Sequence, residues 1–106
     1  MSAYRVVYIT IPGRKSEDLA RKIIEEKLAA CINIVDNIKS LYPWKGEIKI
    51  EAESLLIVKT TTKKVENLIK YVREHHEYDI PEVISTAVAE GNPDYLNWLH
   101  DETITV

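Results

Sequence analysis

Between Cys31 and Thr61 the chain carries two strand-patterned runs joined by Pro43-Trp44-Lys45-Gly46, and this pattern makes a long hairpin the central element of the fold. Cys31 to Val35 reads as a strand. Asp36-Asn37 is a bulge or a bend, because Ile38 to Tyr42 resumes the strand pattern. After the turn, Glu47 to Thr61 returns with Ile48 and Ile50 alternating, then the continuous apolar run Leu55-Leu56-Ile57-Val58. The distal half of the hairpin is therefore amphipathic. Such a hairpin exposes strand edges that a soluble protein must cover, pair or charge, and self-association achieves the first two. Leu41-Tyr42-Pro43-Trp44 at its end places large apolar groups where solvent is expected. A partner surface, with Tyr42 and Trp44 at an interface, or folding of these rings back over their own domain would each answer that.

The flanks supply the remaining elements. Tyr4 to Ile11 reads as a strand buried on both faces and stopped by Pro12-Gly13. Ser16 can cap a helix from about Glu17 to Ala29, whose apolar stripe is Leu19, Ile23, Ile24 and Leu28. Thr61 or Thr62 can cap a second helix, with Val65, Leu68, Ile69 and Val72 at helical spacing, ending near Glu74 or His75. Glu82 to Ala89 reads as a fourth strand, and Asn92-Pro93-Asp94 starts a short helix near the carboxyl end. The order βαββαβ plus that helix predicts an α+β chain of the ferredoxin-like split-βαβ type, an antiparallel sheet with helices on one face.

Bulk properties exclude several classes. With 106 residues, 45% of them hydrophobic, one domain over 1–106 is expected. A formal charge of -3 gives no basic field for nucleic acid, and no apolar run is long enough to cross a bilayer. Met-Ser-Ala-Tyr-Arg-Val-Val does not read as a secretory signal, and the single cysteine, Cys31, forms no intrachain disulfide. A reducing cytoplasm is the expected setting.

Candidate chemistry is sparse. His75-His76 offers imidazoles suited to copper or zinc, although neighbours on a helix point about 100° apart and serve one ion only where the helix has unwound. A helix carboxyl end also favours imidazolium without any metal. Cys31 reads as a small hydrophobe. Pro12-Gly13-Arg14-Lys15-Ser16 suits an anion but lacks a phosphate-loop signature, and no base or nucleophile accompanies Arg14, so an enzyme is not expected. Lys59 and Glu82 could form a polar pair at one end of the sheet. The metal-free alternative is a small-molecule sensor that self-associates and holds its ligand in a cleft between subunits, bordered by Trp44, Lys59, Tyr78 and Glu82.

Five segments together resemble the CutA family of divalent-cation tolerance proteins: Glu26 to Asn33, Ser40 to Ile48, Leu56 to Thr60, His76 to Glu82, and Gly91 to Trp98. The resemblance runs over nearly the whole chain. It implies a tight homotrimer, similar in architecture to the PII signalling trimers, in which the long hairpin extends the sheets of neighbouring subunits. It also implies a role in copper tolerance by metal binding or PII-like signalling, with Cu2+ or another divalent cation weakly bound. In some bacterial members the copper ligands resemble a strand-one cysteine plus an adjacent histidine pair. The pair corresponds to His75 and His76, whereas the cysteine position holds Ile9, which removes the soft ligand that favours Cu(I). Pro43 also departs from the family, where a second aromatic often stands between Tyr and Trp.

Overall fold

The computed structural model describes residues 2–104. Its elements are β1 (Tyr4–Ile11), α1 (Gly13–Glu25), β2 (Cys31–Trp44), β3 (Glu47–Thr61), α2 (Thr62–His75), β4 (Val83–Ala87) and α3 (Pro93–Glu102). The strands form one antiparallel sheet in the order β2-β3-β1-β4, the split-βαβ arrangement expected from the element order. β1 sits between β3 and β4, with Val7 opposite Val58 and Ser85, and Ile9 opposite Leu56 and Val83. Two-sided pairing explains why its sequence is almost wholly Val, Ile and Tyr.

Side chains alternate along each strand, so Val7, Ile9 and Ile11 share one face with Leu56 and Val58. Leu19 and Ile23 of α1 and Leu68 and Val72 of α2 close over that face and complete the core. Each fully buried Leu or Ile there contributes about 1.5–3 kcal/mol. α3 packs against β3, and Asn92 caps it by accepting a hydrogen bond from the Asp94 N–H.

The first helix begins and ends four residues earlier than its apolar stripe suggests. Pro12 occupies the cap position, and Ser16 is buried in the first turn, where its hydroxyl donates to the Gly13 carbonyl. At the other end Lys27 adopts φ 57°, and the Leu28 N–H reaches the Ile23 carbonyl while the Lys27 N–H reaches that of Ile24. This is a Schellman stop built on lysine, a residue that carries none of glycine's stop signal. β4 is shorter than its sequence pattern, ending at Ala87.

The irregularity at Asp36-Asn37 is a bulge. Val35 pairs with Leu55 and Ile38 with Glu53, so two residues of β2 oppose Ser54 alone. Asn37 takes φ 60°, and Asp36 accepts a 2.6 Å hydrogen bond from Ser54. The extra residue reverses the alternation of β2. Before the bulge Ile32 and Ile34 share the core face; after it Leu41 and Pro43 do, opposite Ile50 and Ile48. Tyr42 and Trp44 are thereby turned to the opposite face, where Glu51 and Glu53 of β3 lie. Lys45 (φ 51°) and Gly46 (φ 82°) close the hairpin with two left-handed residues, the geometry of a type I′ turn.

Candidate functional site

The hairpin runs beyond the two core helices, and its β2 edge has no strand partner among the described residues. Leu41 is 60% exposed, Ile50 64% and Ile48 76%, so the core face continues as an uncovered apolar strip. The opposite face carries a cavity of about 570 Å³, walled by Thr10, by Ser40 to Trp44 and Glu53 of the hairpin, and by the segment from Glu77 to Glu82.

The wall from 77 to 82 is fixed by His76. This residue is 8% exposed, and the Tyr78 N–H donates to its Nδ1 at 3.1 Å. The proton therefore resides on Nε2, which donates to the Thr10 carbonyl at 2.8 Å. Thr10 lies where β1 continues past the first residue of β4, so this carbonyl is free to accept. Tyr78 then reaches across to the hairpin, its hydroxyl donating to Glu53 Oε2 at 3.1 Å. Glu53 is 5% exposed although it is an acid, a placement that the phenol hydrogen bond makes tolerable. Burial, then the Glu53 carboxylate, pushes the Tyr78 phenol well above its ordinary range. Tyr42 is shifted the same way by desolvation and by Glu51, to which its hydroxyl donates at 3.3 Å. Arg14, in the first turn of α1, reaches the outer wall and pairs with Glu77 at 3.0 Å, so it is already engaged.

The cavity brings together Trp44, Tyr78 and Glu82, with Tyr42 beside them. Lys59 is elsewhere. It pairs with Val6 and Cys31 along the strands, and its Nζ lies 4.0 Å from the Cys31 thiol. Glu82 precedes Val83, which pairs with Ile9, so three positions of β1 separate the two residues and no polar pair forms between them. Burial, and then the neighbouring Cys31, raises the Tyr95 phenol above its ordinary value.

A divalent ion does not fit the histidine pair. Both ring nitrogens of His76 are used within the protein. His75 lies exposed, stacked on Tyr71 at 3.9 Å, with its Nδ1 on the Tyr71 carbonyl at 2.8 Å, so only its Nε2 is open. Ile9, where the third ligand would be sought, is fully buried in the core. Among the described residues no three His, Cys, Asp or Glu side chains gather closely enough to hold a metal ion, and no helix is long and apolar enough to cross a membrane.

Glu53 and Thr10 are among the cavity residues that sequence reasoning passed over. An acid at alternating spacing in β3 looks solvated, and only the pairing register together with the crossing of Tyr78 shows it buried.

The family model described as CutA1 divalent ion tolerance protein matches residues 5–102. The chain is 46% identical over 99 residues to "Protein CutA, chloroplastic" of Arabidopsis thaliana, a match covering 92% of this chain and 54% of that relative. The chain thus spans about half the length of that protein. The crystal structure of CutA1 from Oryza sativa superposes with a TM-score of 0.95 at 44% identity, covering 99% of this chain and 97% of the other. The PII-like protein CutA from Nostoc sp. PCC 7120 in apo form gives 0.89 at 31% identity, covering 94% and 97%.

Proposed function

The chain belongs to the CutA1 divalent ion tolerance family, and from that premise we propose that it is a non-catalytic, cytoplasmic homotrimer that supports tolerance to divalent ions, copper among them, by binding an effector in the hairpin cavity. The mode is PII-like signalling, with the cavity taking the part that direct metal binding by His75 and His76 would otherwise take. The observation that carries this reading is the cavity itself: a preformed space with three aromatic rings and a buried carboxylate, held open by the His76 and Tyr78 hydrogen bonds. Among the described residues no His, Lys, Arg or Cys lines it, so neither a thiol nor an imidazole stands beside its carboxylates. The uncovered strip of Leu41, Ile48 and Ile50 supports assembly, because apolar side chains on a long unpaired edge are stabilised by a neighbouring subunit.

The test is growth under copper challenge in cells lacking their own copy of the protein. Glu53→Gln and Trp44→Leu are expected to lower tolerance, while His75→Ala retains it. Tolerance that survives both cavity variants and fails with His75→Ala would sink the reading. His76 is unsuited to this comparison, since its replacement disturbs the fold.

A further inference from the structure

Four carboxylates line the cavity, those of Glu53, Glu77, Asp79 and Glu82, and no cationic side chain among the described residues lines it with them. Arg14 offsets Glu77. Three acids remain beside the rings of Tyr42, Trp44 and Tyr78. Glu53 is the most telling of them, because it is almost wholly buried and only its Oε2 accepts a hydrogen bond among the described residues. Its second oxygen is not a sealed, unsatisfied atom and remains able to accept a further hydrogen bond. A bare metal ion matches this lining poorly, since no three donors converge and the space of about 570 Å³ far exceeds one coordination shell. Dispersed negative charge among aromatic faces instead suits a cation with an apolar body, which the ring quadrupoles also attract.

We propose that this cavity binds an organic ammonium ion, its charge met by Glu53 and Glu82 and its alkyl groups lying against Trp44, Tyr42 and Tyr78. The assignment rests on the cavity being the effector site and adds the chemical class of the occupant. Indole contact makes occupancy visible in the fluorescence of Trp44.

The experiment titrates the intact protein with butyltrimethylammonium chloride, and separately with its neutral shape analogue 3,3-dimethyl-1-butanol, by calorimetry and tryptophan fluorescence. Saturable binding of the ammonium is expected, with the alcohol at least about tenfold weaker and affinity falling as salt is added. Glu53→Gln, which preserves shape, and Trp44→Leu should each weaken the ammonium roughly tenfold. His75→Ala should leave the isotherm unchanged. Equal binding of alcohol and ammonium overturns the charge assignment, and so does an absence of saturation. Binding indifferent to both cavity variants places the ion elsewhere and also overturns it. The copper-challenge result for the same variants reports on the cavity whatever its occupant, so failure of the ligand class and failure of the site are distinguishable.

Discussion

His75 and His76 are adjacent in sequence, and the structure gives them unequal energetic roles. Replacing His76 with Ala removes the donor to the Thr10 carbonyl and the acceptor for the Tyr78 N–H, both at a residue that is nearly buried. Each of the two orphaned partners costs about 1–3 kcal/mol, so the variant should lose roughly 2–6 kcal/mol. For a domain of this size that corresponds to a fall in Tm on the order of 10–30 °C. His75→Ala, which gives up an exposed stack on Tyr71 and one carbonyl contact at a helix end, should cost under about 1 kcal/mol. Urea unfolding of both variants at one fixed protomer concentration makes the comparison, because assembly renders apparent stability concentration-dependent. His76→Gln retains a donor of similar reach and His76→Asn an acceptor near Nδ1, so each should recover part of the loss. Equal costs at 75 and 76 would refute the assignment. So would copper raising the midpoint of the wild type and not of His76→Asn, since that would reveal a metal ligand rather than a brace.

Three further outcomes follow from the geometry. Tyr42, Tyr78 and Tyr95 have raised pKa values, so in a near-ultraviolet alkaline titration these three of the six tyrosines should ionise after the others, and Tyr78→Phe should remove one late phenol. Because the folded state holds these protons more tightly, their stabilising contribution is complete below about pH 10, the ordinary tyrosine value, and is lost as pH rises towards the higher folded values. At the turn and the helix stop, thermal melts should show Gly46→Ala costing about 1 kcal/mol, with Lys45→Asn and Lys27→Gly each gaining roughly 0.5 kcal/mol; a neutral Gly46→Ala would contradict the left-handed φ. Light scattering behind a sizing column should give three chains for the wild type and one for the Ile48→Lys, Ile50→Lys double variant, and a wild type that remains monomeric would end the assembly proposal.

The strand and helix order was legible because local pattern and tertiary structure agree. β3 begins at Glu47 and ends at Thr61 where its alternation and apolar run do, α2 follows a four-position stripe, and α3 starts at Asn92-Pro93-Asp94. α1 was misplaced by four residues for an identifiable reason. Leu28 continues the apolar stripe, but it is buried by the chain turning back through Lys27 and not by a further helical turn. A glycine at 27 would have announced the stop.

The cavity was only half legible, and parity explains which half. Trp44, Tyr78 and Glu82 were visible as residues that want a partner, yet which face Trp44 occupies depends on whether Asp36-Asn37 adds one residue or none. With no bulge, regular alternation would turn Tyr42 and Trp44 to the core face, away from Glu53. One inserted residue brings the rings to the carboxylate, and the Ser54 to Asp36 hydrogen bond together with the left-handed Asn37 holds that choice. Lys59 shows the converse. It directly follows the apolar run, closer to it in sequence than Glu53 is, but β3 carries it toward Cys31, at the other end of the sheet from the cavity. Composition names the side chains available for a site such as this, and strand register decides which of them meet.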